Sequence, residues 1–176
     1  MRTPVSGASQ DPVTGNGGGT TLVVCIGNEL VADDAVGYEV YHQLRGMVLP
    51  AGTRLEYAGV GGVALLDLLA GDEGALIVVD AVQFGDPPGT IHRLSWDEVP
   101  GNGNSAISAH GIGLRETIDI GKVICPGKLP AHILLVGIEG RCFNRTRDEM
   151  TPATAAAVTE AAICIQRELH ALQRRI

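Results

Sequence analysis

The run Gly74-Ala-Leu-Ile-Val-Val-Asp80 constrains the fold of this chain more than any other stretch. It is short, rich in aliphatic residues and apolar up to its final acid, which is the pattern of a strand buried on both faces. Thr21-Leu-Val-Val-Cys-Ile26 and Ile133–Ile138 read the same way. Segments with helical spacing lie between these runs, at Ala35–Leu44, Val63–Leu69 and Ile112–Ile124, and an Ala-rich helix opens at Thr151-Pro152 and reaches the C-terminus. Thr151 is placed as its N-cap and Pro152 at the first helical position. Thr53–Ala58 and Thr90–Leu94 are two further short strands, the second at a sheet edge. Strands alternating with helices predict an α/β sandwich around a mostly parallel sheet of about five strands.

A length of 176 residues suits one domain with a substantial core. That domain is expected over residues 20–176. Residues 1–19 are polar and Gly-rich and are expected to form a disordered tail. The net charge of −7, without any basic stripe, argues against general nucleic-acid binding. No apolar run approaches the roughly 18 residues that a membrane span needs, and the N-terminus lacks the apolar core of a secretory signal. Cys25, Cys125, Cys142 and Cys164 are far apart and include no C-x-x-C. They read as reduced core thiols of a cytoplasmic protein rather than a disulfide framework or a zinc site, with Cys142 in a loop. A monomer is the default expectation.

Three places carry candidate chemistry. Gly27-Asn-Glu-Leu-Val-Ala-Asp-Asp-Ala-Val-Gly37 turns the first strand into the first helix and bears adjacent acids, Asp33 and Asp34. At the carboxyl end of a strand such a turn faces the ligand crevice. Two carboxylates there repel phosphate and favour a cation or a basic partner, unless one of them simply caps the helix. Asp80 ends the next central strand, and His110 opens the helix after the long, polar Trp96–Ala109 connection. Two carboxylates and an imidazole make a site for a divalent transition ion.

The middle of the chain admits another reading. Gly59-Val-Gly-Gly-Val-Ala64 fits G-x-G-x-x-G/A, with Asp80 placed to hold a ribose, as in a dinucleotide-binding oxidoreductase. A third reading is a non-catalytic metal or chaperone module. His42, His92, His132 and His170 read as surface or structural residues. No serine-hydrolase elbow, zincin motif or P-loop occurs, and no serine or cysteine nucleophile has an obvious base.

In order and spacing, Gly27–Gly37, Val79-Asp-Ala-Val-Gln-Phe-Gly-Asp-Pro-Pro-Gly89 and Ser108-Ala-His-Gly-Ile-Gly-Leu114 resemble the three signature regions of the [NiFe]-hydrogenase maturation endopeptidases. The Gly59–Gly62 turn with Leu65-Leu66, and Leu134–Glu139, are similar to the family as well. The resemblance runs from about residue 21 to 165. It implies a three-layer α/β/α fold around a twisted, largely parallel sheet. It also implies an endopeptidase, aspartyl-type or metal-dependent, that removes a C-terminal extension from the hydrogenase large-subunit precursor after nickel insertion. The family's nickel-contacting and catalytic residues fall on Asp34, Asp80 and His110. Relatives often carry Glu at the first of these positions, so Asp34 is a shorter reach to the metal. The implied ion is Ni(2+), supplied by the precursor, or another divalent ion in its place. Asn28 and Asp33 become supporting residues, Glu29 a solvated one, and substrate choice falls to the Trp96–Ala109 connection and the loop after Asp80.

Overall fold

The computed structural model describes residues 19–61, 64–100, 113–146 and 149–174. Of the expected tail, all but Gly19 lies outside the described residues. Within them, β1 (Thr20–Cys25), β2 (Thr53–Tyr57), β3 (Glu73–Val82), β4 (Ile91–Ser95) and β5 (His132–Glu139) form one sheet in the order β2-β1-β3-β5-β4. All neighbours pair in parallel except β4, which runs antiparallel along β5.

The inner strands are apolar along most of their length because helices cover both faces. Side chains alternate across a strand. Val23, Cys25, Ile77, Val79 and Val136 therefore pack on one side, against α1 (Val36–Arg45) and the long α4 (Pro152–Gln173). Leu22, Val24, Leu76, Val78 and Leu135 pack on the other, with α2 (Ala64–Asp67), α3 (Leu114–Ile124) and Trp96. The architecture is the expected three-layer α/β/α sandwich. No helix among the described residues is long and apolar enough to cross a membrane.

Most element boundaries fall within a residue of the sequence reading, and four departures have a local cause. Asp33–Ala35 forms a 3-10 turn, so α1 begins at Val36 rather than Ala35. β3 does not stop at Asp80. It continues to Val82 because β5 extends alongside, pairing Asp80 with Gly137 and Val82 with Glu139. α2 ends at Asp67, where Leu68 N–H closes on Leu65 C=O and the chain leaves helical geometry. α3 begins at Leu114, with Gly113 in extended geometry as its N-cap.

Candidate active site

The sheet order fixes where a ligand can sit. From β1 the chain moves outward to β2, then crosses back over β1 to β3. The connections on either side of this reversal lie on opposite faces, α1 on one and α2 on the other. A crevice opens outside the carboxyl ends of the strands at such a switch point, here between β1 and β3. The turn carrying Asp33 and Asp34 follows β1, and Asp80 lies near the end of β3.

That turn sits close on its own strand because two glycines allow it. A Cβ on Gly27 would lie 2.2 Å from Asp34 C=O, and one on Gly37 would lie 1.8 Å from Ile26 C=O. Asn28 then organises the loop from both ends. Its N–H donates to Asp34 Oδ2 at 3.0 Å, and its side-chain oxygen accepts Leu30 N–H at 3.0 Å. The Tyr57 hydroxyl at the end of β2 donates to Gly27 C=O at 2.7 Å. Burial, with the negative charge of Glu29 nearby, pushes this phenol above its usual range and keeps it a donor.

The two adjacent acids have different jobs. Asp33 is fully buried. Its carboxylate accepts Thr151 N–H at 2.7 Å, Arg141 N–H at 2.8 Å and Cys142 N–H at 2.9 Å, and the Thr151 hydroxyl at 3.1 Å. Its own N–H donates to Cys142 C=O. Asp33 thus fastens the first turn to the β5–α4 connection. Neither acid caps the helix that follows. The 3-10 turn has Ala32 as its N-cap and α1 has Ala35, both without a side-chain bond. Thr151 does hold the N-cap position of α4, but its hydroxyl turns to Asp33 and Thr154 instead of capping.

Asp34 is 2% exposed and Asp80 3% exposed. Asp80 is neither a cap nor a turn acid, since it stands inside a central parallel strand. Its Oδ1 accepts the N–H of Ala81 at 2.8 Å. Two buried carboxylates thus stand at the switch point, Asp34 in the turn after β1 and Asp80 within the neighbouring strand β3. His110, the third expected member, lies outside the described residues. Among those residues no three His, Cys, Asp or Glu side chains are grouped to hold a metal.

The other sequence candidates have structural uses. Gly59 and Gly61 have positive φ, and a Cβ on Gly61 would lie 2.6 Å from Ile26 Cγ2. Gly59 C=O accepts Gly27 N–H at 2.7 Å. These glycines fit the second turn against the first, and the four-residue α2 beyond them is too short for the long helix of a dinucleotide fold. Glu29 is exposed, as expected. All four cysteines are free, but only Cys25 is a core thiol, the other three being half-buried. Burial pushes the Cys25 and Cys164 thiols up, away from nucleophilic use.

Two buried acids escaped the sequence reading, Glu73 at the start of β3 and Glu139. Glu139, at the end of β5, is 3% exposed and accepts the N–H groups of Phe84 and Gly85 in the loop after β3. The signal was the one that singled out Asp80, an acid closing an apolar run.

The family model described as hydrogenase maturation protease matches residues 39–168. The hydrogenase expression/formation protein HupD of Rhodobacter capsulatus is 34% identical over 152 residues, covering 85% of this chain and 71% of that protein. HupD of Thiocapsa roseopersicina is 33% identical over 147 residues, or 78% of this chain, which spans 65% of that relative's length. Among solved structures, the hydrogenase maturating endopeptidase HybD from Escherichia coli superposes with a TM-score of 0.74 at 27% identity, over 86% of this chain and 92% of that one.

Proposed function

The chain belongs to the hydrogenase maturation protease family, and from that premise we propose that it is the endopeptidase that removes the C-terminal extension of a [NiFe]-hydrogenase large-subunit precursor after nickel insertion. The observation that carries the reading is the pair of buried carboxylates at the switch point, Asp34 in the turn after β1 and Asp80 on the neighbouring strand β3. His110, four residues before α3, supplies the imidazole. Two carboxylates and an imidazole are a donor set for a divalent transition ion.

The nickel is part of the substrate, held by the precursor's own cysteines. Asp34 and Asp80 receive it, since a nearby cation favours the charged form of a buried carboxylate. Asn28 N–H fixes the orientation of one carboxylate and Ala81 N–H that of the other. An unloaded precursor lacks the charge that this pair binds, so its scissile segment is not anchored. Anchoring turns a weak peptide encounter into a positioned one. The same carboxylates are the groups placed to take the proton of the attacking water. The enzyme acts in the cytoplasm, a reading supported by its free cysteines.

Incubation with nickel-loaded and apo precursor, followed by intact mass, tests the proposal. Loss of a C-terminal peptide from the loaded form alone is expected. Cutting that ignores the metal, or no cutting of either form, overturns it. Asp34→Ala, Asp80→Ala and His110→Ala should each lower processing by about 100-fold or more.

A further inference from the structure

Glu139 is bonded almost wholly to one segment, the stretch that follows Asp80's strand. Its Oε1 accepts Gly85 N–H at 2.8 Å and its Oε2 accepts Phe84 N–H at 3.0 Å. His92 Nε2 lies 3.1 Å from the same Oε2, and the exposed Asp86 carboxylate lies 3.7 Å from His92 Nε2. The Phe84 ring meets His92 edge-on at 5.0 Å. The backbone of Glu139 joins in, donating to Thr90 C=O and accepting Gly89 N–H, both at 2.8 Å.

The sheet does not need this carboxylate. The β3–β5 ladder already holds Val82, and backbone bonds already hold Gly89 and Thr90. The side chain acts on what lies between, Phe84 and Gly85, where no strand pairing exists. A buried charge is a costly way to tie a loop whose only task is to connect two strands. Glu139 also pairs with Val82 in register, two positions beyond the Asp80–Gly137 pair and on the same face of the sheet.

We propose that Glu139, backed by His92, is a positioning residue. It sets the 83–89 loop as a fixed wall of the crevice beside Asp80, against which the C-terminal segment of the precursor lies. The proposal rests on the function proposed above. Glu139 touches no reacting atom and acts through the loop.

Glu139→Gln keeps size but sets an NH2 donor against a loop N–H. His92→Gln removes only the support behind Oε2. With nickel-loaded precursor, Glu139→Gln should raise KM about tenfold, a 1.4 kcal/mol effect, and leave kcat within about twofold. His92→Gln should raise KM by about threefold, and the double variant should be no worse than Glu139→Gln, because both break one tie. A lowered melting temperature with wild-type KM, or a fall confined to kcat, overturns the proposal. If Glu139→Gln does not fold, a wild-type KM in His92→Gln overturns it instead. Wild-type enzyme that fails on loaded precursor sinks the functional reading. Wild-type enzyme that cuts, beside variants of unchanged KM, sinks only the role of Glu139.

Discussion

Asp33 and Asp34 differ by where their hydrogen-bond donors come from. Asp33 collects the N–H groups of Arg141, Cys142 and Thr151, all far along the chain. Asp34 accepts the N–H of Asn28, within its own turn. The resemblance already cast Asp33 as a supporting acid and Asp34 as the expected metal contact. The sequence carried nothing of the means of support, since the donors are backbone groups more than a hundred residues away and backbone leaves no trace in composition. The two acids should therefore fail differently. Asp33→Ala leaves three part-buried N–H groups without their acceptor and should cost about 3 kcal/mol, lowering the melting temperature by roughly 6–12 °C. In Asp34→Asn the amide oxygen still accepts Asn28 N–H, so melting should shift by only a few degrees while processing is lost. Thermal denaturation and the processing assay on the same preparations check both. Equal melting losses in the two variants contradict the division.

At the scale of elements, the inner strands were legible because burial on both faces forces an unbroken apolar run. Their ends were not. β3 runs past Asp80 only because β5 lies beside it, and a register partner fifty-odd residues away is invisible to local patterning. α1 shows how tightly such junctions are set. Gly37→Ala would drive a Cβ into Ile26 C=O, backbone against backbone, and should cost about 3 kcal/mol or more, read as lost soluble yield and a lower melting temperature.

At the opposite end of the sheet, Glu73 joins the entry of β3 to β2. Its carboxylate accepts Ala70 and Gly71 N–H at 2.8 Å each and pairs with Arg54 at 3.1 Å. Burial pushes its pKa up, but those N–H bonds and the Arg54 charge outweigh it, so the carboxyl lies below its ordinary range. A depressed carboxyl stabilises the fold above its unfolded value near 4.5 and loses that contribution as pH falls through the folded value. Denaturant unfolding at pH 7 and at pH 3 should show a gap that narrows by about 1–3 kcal/mol in Glu73→Gln. An unchanged gap removes Glu73 from the acid response. Processing at pH 7 should stay as in wild type, because this cluster lies at the end of the sheet away from the crevice.

For the whole molecule, the reversal of strand order between β1 and β3 converts two separate sequence motifs into one place. No distance or angle between Asp34 and Asp80 was legible in the sequence, but the alternation of strands and helices already made β1 and β3 candidates for neighbours, and the sheet order makes them so. Glu139 joins them at the carboxyl end of β5, and it went unread because its partners are loop amides. If the crevice works as one site, the two carboxylates act on a common group and their losses cannot multiply. Asp34→Asn and Asp80→Asn should each lower single-turnover processing of nickel-loaded precursor by about 100-fold or more, and the double variant should be within a few-fold of the worse single one. Residues serving independent steps would instead give a double variant about 10,000-fold down, the product of the two effects. Intact-mass time courses at saturating enzyme separate these outcomes. A multiplicative loss would mean that Asp34 and Asp80 do not share a group, and the switch-point crevice would then hold two sites rather than one.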